Sequence, residues 1–123
     1  MPNDKSKLPT VIQSFIEATN AHDADAFIQT FADDALVNDV ARNFWGIDSI
    51  KKWSDKEIIA PKITARIDDI VTHYGDFIVT ALIDGKYDKS KTPDPLYLDY
   101  FFTVKGEKIV KLIITKNKEK SAK

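Results

Sequence analysis

Two aspartates in strand-like segments are the residues of this chain with the clearest capacity for chemistry. Asp99 lies within a run of apolar and aromatic residues, and Asp39 ends an earlier apolar run. If the side chain of Asp99 faces a cavity covered by helices, loss of hydration favours its protonated form, which can donate a hydrogen bond. Two carboxyl groups in one apolar pocket, in different environments, can divide the roles of base and acid. The pair is therefore a candidate for acid–base catalysis.

Both aspartates also have structural explanations. An aspartate at the end of a strand often caps a turn, which would account for Asp39. Asp99 could instead form an ion pair with Arg66 or Lys111. The spacing of these residues leaves the catalytic and the structural explanations open.

Apolar periodicity predicts two helices at the start of the chain. Leu8 begins a stripe with helical spacing that ends near Ala21. Asp23 is placed to cap a second helix, because its carboxylate can accept the free N–H groups of the first turn. We expect the apolar stripe of that helix to reach Phe31, and Asp33–Asp34 to end it.

A short strand and a third helix are expected next. The strand covers residues 35–40, and residues 41–46 are predicted to form a loop. Asp48 or Ser49 could cap the third helix, and Pro61 would end it.

The second half of the chain predicts four strands. Residues 63–73, 77–87, 97–104 and 108–115 are rich in β-branched and aromatic residues and are separated by turn residues. Helices followed by an antiparallel run of strands indicate an α+β fold, with helices packed on one face of a curved sheet.

The predicted strand 97–104 is apolar on both faces. Side-chain alternation sorts it into one set that contains the aspartate and one that does not. The sets are Tyr97, Asp99, Phe101 and Thr103, and Leu98, Tyr100, Phe102 and Val104. A sheet covered by helices on one side should have a polar outer face. We therefore expect a homodimer formed through the outer sheet face, although the C-terminal tail or a long loop could cover it instead.

The composition limits the domain organisation and the partners. A chain of 123 residues with 43% apolar residues is about one domain. We expect it to span residues 8–116, between a disordered N-terminus (1–7) and a frayed charged tail (117–123). The formal net charge of -1 offers no excess positive charge to attract nucleic acid or a membrane. No apolar run resembles a signal peptide or a membrane span, so we expect a cytoplasmic location.

No metal site is expected. The chain has no cysteine, which removes thiolate ligands and nucleophiles. His22 and His73 lie in a predicted inter-helix turn and at a predicted hairpin end, so we expect both to be solvated. Neither has a partner at a spacing typical of metal ligands.

Segments spread over almost the whole chain are similar to a known family. They comprise residues 12–15, 20–25 and 31–39, Trp45-Gly46-Ile47-Asp48-Ser49-Ile50, and Leu98-Asp99-Tyr100-Phe101 followed by Lys108-Ile109-Val110. Together they resemble SnoaL-like proteins of the nuclear transport factor 2-like superfamily, which includes ketosteroid isomerases and polyketide cyclases. The resemblance implies a cone-shaped barrel in which three N-terminal helices pack on a curved, mostly antiparallel sheet. This fold hosts enzymes, binding proteins and assembly modules, so it does not by itself define a function.

The resemblance also implies roles for the two aspartates. In ketosteroid isomerases an aspartate at the position of Asp39 moves the substrate proton. A protonated aspartate at the position of Asp99 and a tyrosine on the first helix donate hydrogen bonds to the dienolate oxygen, but the tyrosine position here holds Phe15. Losing one oxyanion donor lowers rates by about 10²–10³, which argues against steroid isomerisation itself. Tyr97 or the indole N–H of Trp53 could supply a substitute donor.

The implied pocket lies between the sheet and the helices and would hold a small hydrophobic molecule. The candidate ligand-binding residues are Phe15, Val37, Trp53, Tyr97 and Phe101. The implied reaction is proton abstraction next to a carbonyl, as in an isomerase or a cyclase, with Asp39 as base, Asp99 as donor and no cofactor. The alternative is a non-catalytic, dimeric ligand-binding or assembly module, which Phe15 in place of the tyrosine favours.

Overall fold

The chain is described from residue 8 to residue 121 in a computed structural model. The segment 1–7, expected to be disordered, and residues 122–123 of the expected tail lie outside the described residues. The first helix, α1 (Thr10–Ala21), begins directly after Pro9 and ends at His22, whose φ of 57° is left-handed. Its apolar side is buried, as the periodicity predicts.

The second helix, α2 (Ala24–Gln29), is shorter than predicted. Asp23 caps it as expected, because its Oδ1 accepts a hydrogen bond from the backbone N–H of Ala26 at 3.1 Å. Phe31 does not extend the helical stripe but begins the first strand, β1 (Phe31–Asp39). There it pairs with Ile109 of β6 (Lys108–Lys116), and a shift in strand register follows before Leu36. The expectation that Asp33–Asp34 ends a helix was therefore wrong, because strand pairing overrides the local pattern.

A short edge strand, β2 (Arg42–Trp45), replaces the predicted loop. It pairs with β1 through a two-residue turn in which Val40 and Ala41 both have positive φ, 48° and 71°. Two positive φ values are typical of the type I′ hairpin turn, which Asn-Gly usually forms. Valine and alanine give no such signal, and this is why the sequence pattern missed the strand.

The third helix, α3 (Gly46–Ser54), continues into a π-helical segment, Asp55–Ile59. The helix begins directly after Trp45 and has no side-chain cap, so the predicted capping by Asp48 or Ser49 is not observed. A π-helical turn is rare and is often found at a functional site.

The sheet has six strands and is mostly antiparallel. The remaining strands are β3 (Thr64–His73), β4 (Asp76–Asp84) and β5 (Leu96–Lys105). Their spatial order is β2-β1-β6-β5-β4-β3, in which β1 and β6 are parallel and every other pair is antiparallel. The predicted α+β class is confirmed.

The helices cover one face of this sheet, which we call the inner face. An aromatic cluster fills the space between them, with ring centroids of Phe15 and Phe27 4.9 Å apart and those of Phe15 and Phe102 5.1 Å apart. The opposite side is the outer face. Apolar side chains on that face are only partly buried, so the two faces differ sharply in how they are covered.

The described part of the C-terminal tail is not frayed. The backbone N–H of Asn117 donates to the carbonyl of Tyr97 at 2.9 Å, and the Ser121 hydroxyl accepts from the N–H of Tyr97 at 2.9 Å. Lys120 forms an ion pair with Asp68 of β3. Residues 117–121 are therefore held against β5 and linked to β3.

Candidate active site

A cavity of about 400 Å³ lies between the inner face of the sheet and the π-helical segment. Its apolar lining includes Trp53, Ile58, Ile63, Ile83, Leu96, Leu98 and Ile114. Its polar lining comprises Asp39, Lys56, Glu57, Tyr87, Thr92, Tyr100 and Lys116. The Thr92 hydroxyl is buried and has no hydrogen-bond partner among the described residues. An apolar lining with a few converging polar groups is typical of a small-molecule site.

The strand register places the carboxylate of Asp39 and the phenol of Tyr100 in one row across the sheet. Tyr100 of β5 pairs with Ile114 of β6, and Ile114 pairs with Asp39 of β1. Directly paired residues point to the same face. Adjacent strands are about 4.8 Å apart, so two strand spacings, about 10 Å, separate the backbones of Asp39 and Tyr100. All three residues of the row line the cavity.

Two donors hold one oxygen of the Asp39 carboxylate. The indole Nε1–H of Trp53 donates to Oδ2 at 3.0 Å, and Nη2 of Arg42 donates to the same oxygen at 2.7 Å. Oδ1 accepts no hydrogen bond from any residue between 8 and 121. The side chain is 16% exposed. Asp39 is thus fixed through one oxygen while the other is available to a ligand.

Arg42 links Asp39 to the π-helical segment. Its Nη1 and Nη2 donate to Glu57 Oε2 and Oε1 at 2.9 and 2.7 Å, a bidentate contact. The hydrogen bonds to Glu57 and the charge of Asp39 raise the pKa of Arg42. Arg42 therefore stays charged and fixes the position of both carboxylates.

Tyr100 is a buried phenol that the sequence analysis did not assign to the site. Its residue is 4% exposed, and its hydroxyl makes no hydrogen bond to a residue of the described chain. Burial raises the pKa of Tyr100, and the negative charge of Asp39 raises this pKa further. The hydroxyl is therefore protonated at neutral pH and can donate to a ligand. The sequence signal that could have identified it is the alternation along β5, which places Tyr100 on the same face as Leu98 and Phe102.

The structure does not bring Asp99 and Asp39 together. Asp99 pairs with Thr80 and Thr115 on the outer face, opposite to the cavity. The Thr80 hydroxyl donates to Asp99 Oδ1 at 2.6 Å, and the Asn117 amide donates to the same atom at 3.2 Å. The condition for a neutral donor, a position on the helix-covered face, is not met. The expected pairing of two aspartates in one pocket is corrected accordingly.

The other predicted ligand-binding residues divide among three places. Trp53 lines the cavity. Phe15 and Val37 lie in the packed core, 3% and 0% exposed, and are not among the cavity-lining residues. Tyr97 and Phe101 share the outer face with Asp99, because alternation along β5 puts all three on the same side.

Two further features bear on the class of site. His22 is not simply solvated, since its Nε2 lies 3.1 Å from the carbonyl oxygen of Ile63. Within residues 8–121 no three histidine, aspartate or glutamate side chains come together as potential metal ligands. In the same part of the chain, no helix has the length and apolar content needed to cross a membrane.

Comparison with protein families decides the relationship. The model of the SnoaL-like domain matches residues 12–112, which include most of α1, most of the sheet and all but two of the residues that line the cavity. The chain belongs to the SnoaL-like family. The resemblance read from the sequence is thereby confirmed. A comparison with curated proteins finds no significant match.

Solved structures with the same fold include two that were determined with a bound small molecule. A candidate polyketide cyclase from Sinorhizobium meliloti is 28% identical, with a TM-score of 0.80 over 91% of this chain and 99% of that one. A hypothetical protein with a ketosteroid isomerase-like fold from Catenulispora acidiphila, in complex with trimethylamine, is 17% identical, with a TM-score of 0.73 over 87% of this chain and 85% of that one. Rv0760c from Mycobacterium tuberculosis, in complex with estradiol-17β-hemisuccinate, is 13% identical, with a TM-score of 0.72 over 92% and 95%. The last two likenesses concern the fold alone.

Proposed function

We propose that this SnoaL-like protein binds a small, mostly apolar molecule in the cavity and abstracts a proton next to its carbonyl group. The observation that carries the proposal is the row Asp39, Ile114 and Tyr100 on the inner face. It presents a carboxylate with a free Oδ1 and a protonated phenol to one space. A base and a hydrogen-bond donor facing the same substrate are what enolisation requires.

The proposed reaction assigns one step to each group. Oδ1 of Asp39 takes a proton from the carbon next to the carbonyl, and the electron pair of that C–H bond moves towards the carbonyl oxygen. The Tyr100 hydroxyl donates a hydrogen bond to this oxygen as negative charge develops on it. Return of the proton from Asp39 to another carbon of the enolate gives an isomer. Attack of the enolate carbon on a second carbonyl of the same molecule closes a ring, and the alkoxide formed there takes up the proton from Asp39. Arg42 and Trp53 keep the carboxylate in position throughout.

The ligand class is supported by the neighbours and by the cavity. One neighbour was solved with a steroid ester and another is a candidate polyketide cyclase. Steroid esters and polyketides both combine an apolar carbon skeleton with oxygen-containing groups. A cavity of about 400 Å³ lies in the ordinary range for small-molecule sites.

A non-catalytic binding module is the second candidate function. It is favoured by the ion pair in which Arg42 lies 2.7 Å from Asp39, since such a contact also occurs as a purely structural feature. Phe15, which offers no hydroxyl to the cavity, favours it as well. In this case the same cavity binds its ligand without moving a proton.

We also propose that the outer face joins two copies of the chain. Partly buried apolar side chains extend over adjacent strands of this face, namely Leu36, Ile78, Leu82, Phe101 and Ile113. A second copy would remove this patch from water. Residues 117–121 contact one end of this face, where Ser121 bonds to Tyr97, Asn117 to Asp99 and Lys120 to Asp68.

Exchange of deuterium from water into a panel of cyclic ketones tests the catalytic proposal. Asp39→Asn should lower the exchange rate by about 10²-fold or more, because it removes the base. Tyr100→Phe should lower it by about 10²-fold through loss of the donor. Asp99→Asn is the matched control, since it changes a carboxylate of the same sheet on the other face, and it should leave the rate unchanged.

Ligand binding by the same variants separates the two candidate functions. Exchange by the wild type that exceeds the buffer rate and falls in Asp39→Asn supports the enzyme. Ligand binding without any exchange above buffer supports the binding module. Loss of exchange in Asp99→Asn, with Asp39→Asn unaffected, would contradict the assignment of the site to the inner face.

A further inference from the structure

Charged side chains at the mouth of the cavity are not balanced. Asp39 and Glu57 share Arg42 as their one cationic partner, so these three side chains together keep one negative charge. Lys56 and Lys116 also line the cavity, and no carboxylate of the described residues lies within 4.0 Å of either amino group. The mouth therefore has two lysines without an ion-pair partner, and its three cations outnumber its two carboxylates by one.

A second depression continues the cavity on the side of Lys56. This groove, of about 440 Å³, lies over β2 and α3 and is lined by Arg42, Phe44 and Lys52. It shares Trp53, Lys56 and Glu57 with the cavity, so the two are contiguous. Lys52 likewise has no ion-pair partner among residues 8–121. A ligand that extends beyond the cavity would leave it between lysines.

The local ion pairs explain why Lys56 has no carboxylate partner. Asp55, which directly precedes Lys56, pairs with Lys51 at 2.9 Å. Glu57, the next acid, is held by both terminal nitrogens of Arg42. The acids of the π-helical segment are thus taken by other cations, and Lys56 is left facing the cavity.

The interior of the cavity cannot neutralise a negative charge. Its walls away from the mouth are apolar, apart from the hydroxyls of Tyr87, Thr92 and Tyr100. Burying an unpaired anion against such walls costs far more than leaving it hydrated. A negative group on a ligand would therefore lie at the mouth, where the lysines attract it and water still reaches it.

We propose that the ligand of this cavity is an amphipathic anion. Its apolar body lies beneath the sheet, and a compact anionic group such as a carboxylate lies at the mouth beside Lys56 and Lys116. This inference rests on the proposed function, since it assumes that the cavity is the ligand site. It adds the charge of the ligand and its orientation.

A matched pair of fluorescent probes tests the inference. 1-Anilinonaphthalene-8-sulfonate and N-phenyl-1-naphthylamine share an aromatic body and differ in the sulfonate. The wild type should bind the sulfonate more tightly than the neutral amine. Because an exposed charge contact contributes little, Lys56→Gln and Lys116→Gln should each weaken sulfonate binding by about two- to fivefold. Neither should change binding of the neutral amine.

Lys111→Gln is the control, because Lys111 lies on the same strand as Lys116 but is exposed on the outer face. It removes the same net charge and should leave both affinities unchanged. Added salt should weaken binding of the sulfonate probe and leave binding of the neutral amine unchanged. Leu98→Trp, which fills the cavity, should weaken both probes.

The outcomes separate the inference from the function on which it rests. If Leu98→Trp weakens both probes but the lysine variants leave the sulfonate unaffected, the cavity binds ligands and the anion proposal is wrong. If Lys111→Gln matches Lys56→Gln, the sulfonate senses only net charge, and the proposal is also wrong. If Leu98→Trp affects neither probe, the cavity is not the ligand site and both proposals fail.

Discussion

The two faces of the sheet carry the same residue types in opposite settings. On the inner face, Asp39 and Tyr100 line a cavity, and one carboxylate oxygen and the phenol remain free for a ligand. On the outer face, Asp99 bonds to Thr80 and Asn117, so its environment is satisfied by the protein itself. The strand face on which a side chain lies therefore defines the reactive set. The presence of an acid next to aromatic residues does not define it.

The difference arises from one position along β5. Asp99 and Tyr100 are neighbours, and alternation sends them to opposite sides. Register with β6 and β1 then aligns Tyr100 with Asp39, whereas Asp99 is aligned with Thr80 and Thr115. A shift of a single residue would exchange the two sets completely.

The largest expected effect concerns the packing of the two faces. Phe102 is 0% exposed within the aromatic cluster, whereas Phe101 is only half-buried on the outer face. Phe102→Ala should lower the free energy of unfolding by about 3–5 kcal/mol, through lost burial and the cavity left behind. Phe101→Ala should lower it by about 1 kcal/mol in the monomer. Urea unfolding followed by fluorescence measures both.

The oligomeric state of the chain provides a second test of the outer face. If the outer face joins two copies, light scattering should give about twice the chain mass of 13.9 kDa, and Phe101→Ala should shift it towards the monomer. Equal costs for the two variants at every concentration would contradict the assignment of the faces. A mass of one chain at micromolar concentration would contradict the dimer.

The next effect is a pH dependence that belongs to the inner face alone. Burial and the charge of Asp39 raise the pKa of Tyr100, so the phenol ionises in the unfolded chain before it ionises in the folded one. The folded state then binds more protons, and stability falls as the pH rises above the unfolded pKa of about 10. The wild type should lose about 2 kcal/mol more than Tyr100→Phe between pH 10 and 11.5.

Unfolding in urea at the two pH values measures the difference. Tyr74→Phe is the control, because it removes a phenol that is 97% exposed, and it should keep the wild-type dependence. Asp39→Asn should reduce the dependence, since it removes one of the two causes of the shift. An identical pH dependence in Tyr100→Phe and the wild type would show that the phenol is not buried as described.

Sequence patterns predicted the order of the elements better than their faces. The periodicity of α1 and the cap at Asp23 depend on local spacing, so both were readable. The face of Asp99 was not, because both sets of side chains in β5 are largely apolar and either could have met the helices. Only pairing with β6 and β1, over long sequence separations, selects Tyr100 for the cavity.

The candidate site was half predictable for the same reason. Asp39 and Trp53 lie in segments whose order along the chain matches the family, and both line the cavity. Arg42 was missed because its strand follows a turn of Val40 and Ala41, which carries no sequence signal for a hairpin. The bond from Arg42 to Glu57 joins two elements that no local pattern connects.

The smallest effect concerns the structural role of Asp99. Thr80 is 8% exposed, and its hydroxyl donates to Asp99 Oδ1 at 2.6 Å. Thr80→Val keeps the side-chain shape and removes this donor, so it should lower the free energy of unfolding by about 1 kcal/mol. Thr115→Val is the matched control, since Thr115 pairs with Asp99 on the other side but makes no side-chain hydrogen bond to it, and it should cost less. Probe binding in the cavity should be unchanged in both variants, because their side chains face away from it. A change in cavity binding by Thr80→Val, without loss of stability, would mean that Asp99 acts on the ligand after all.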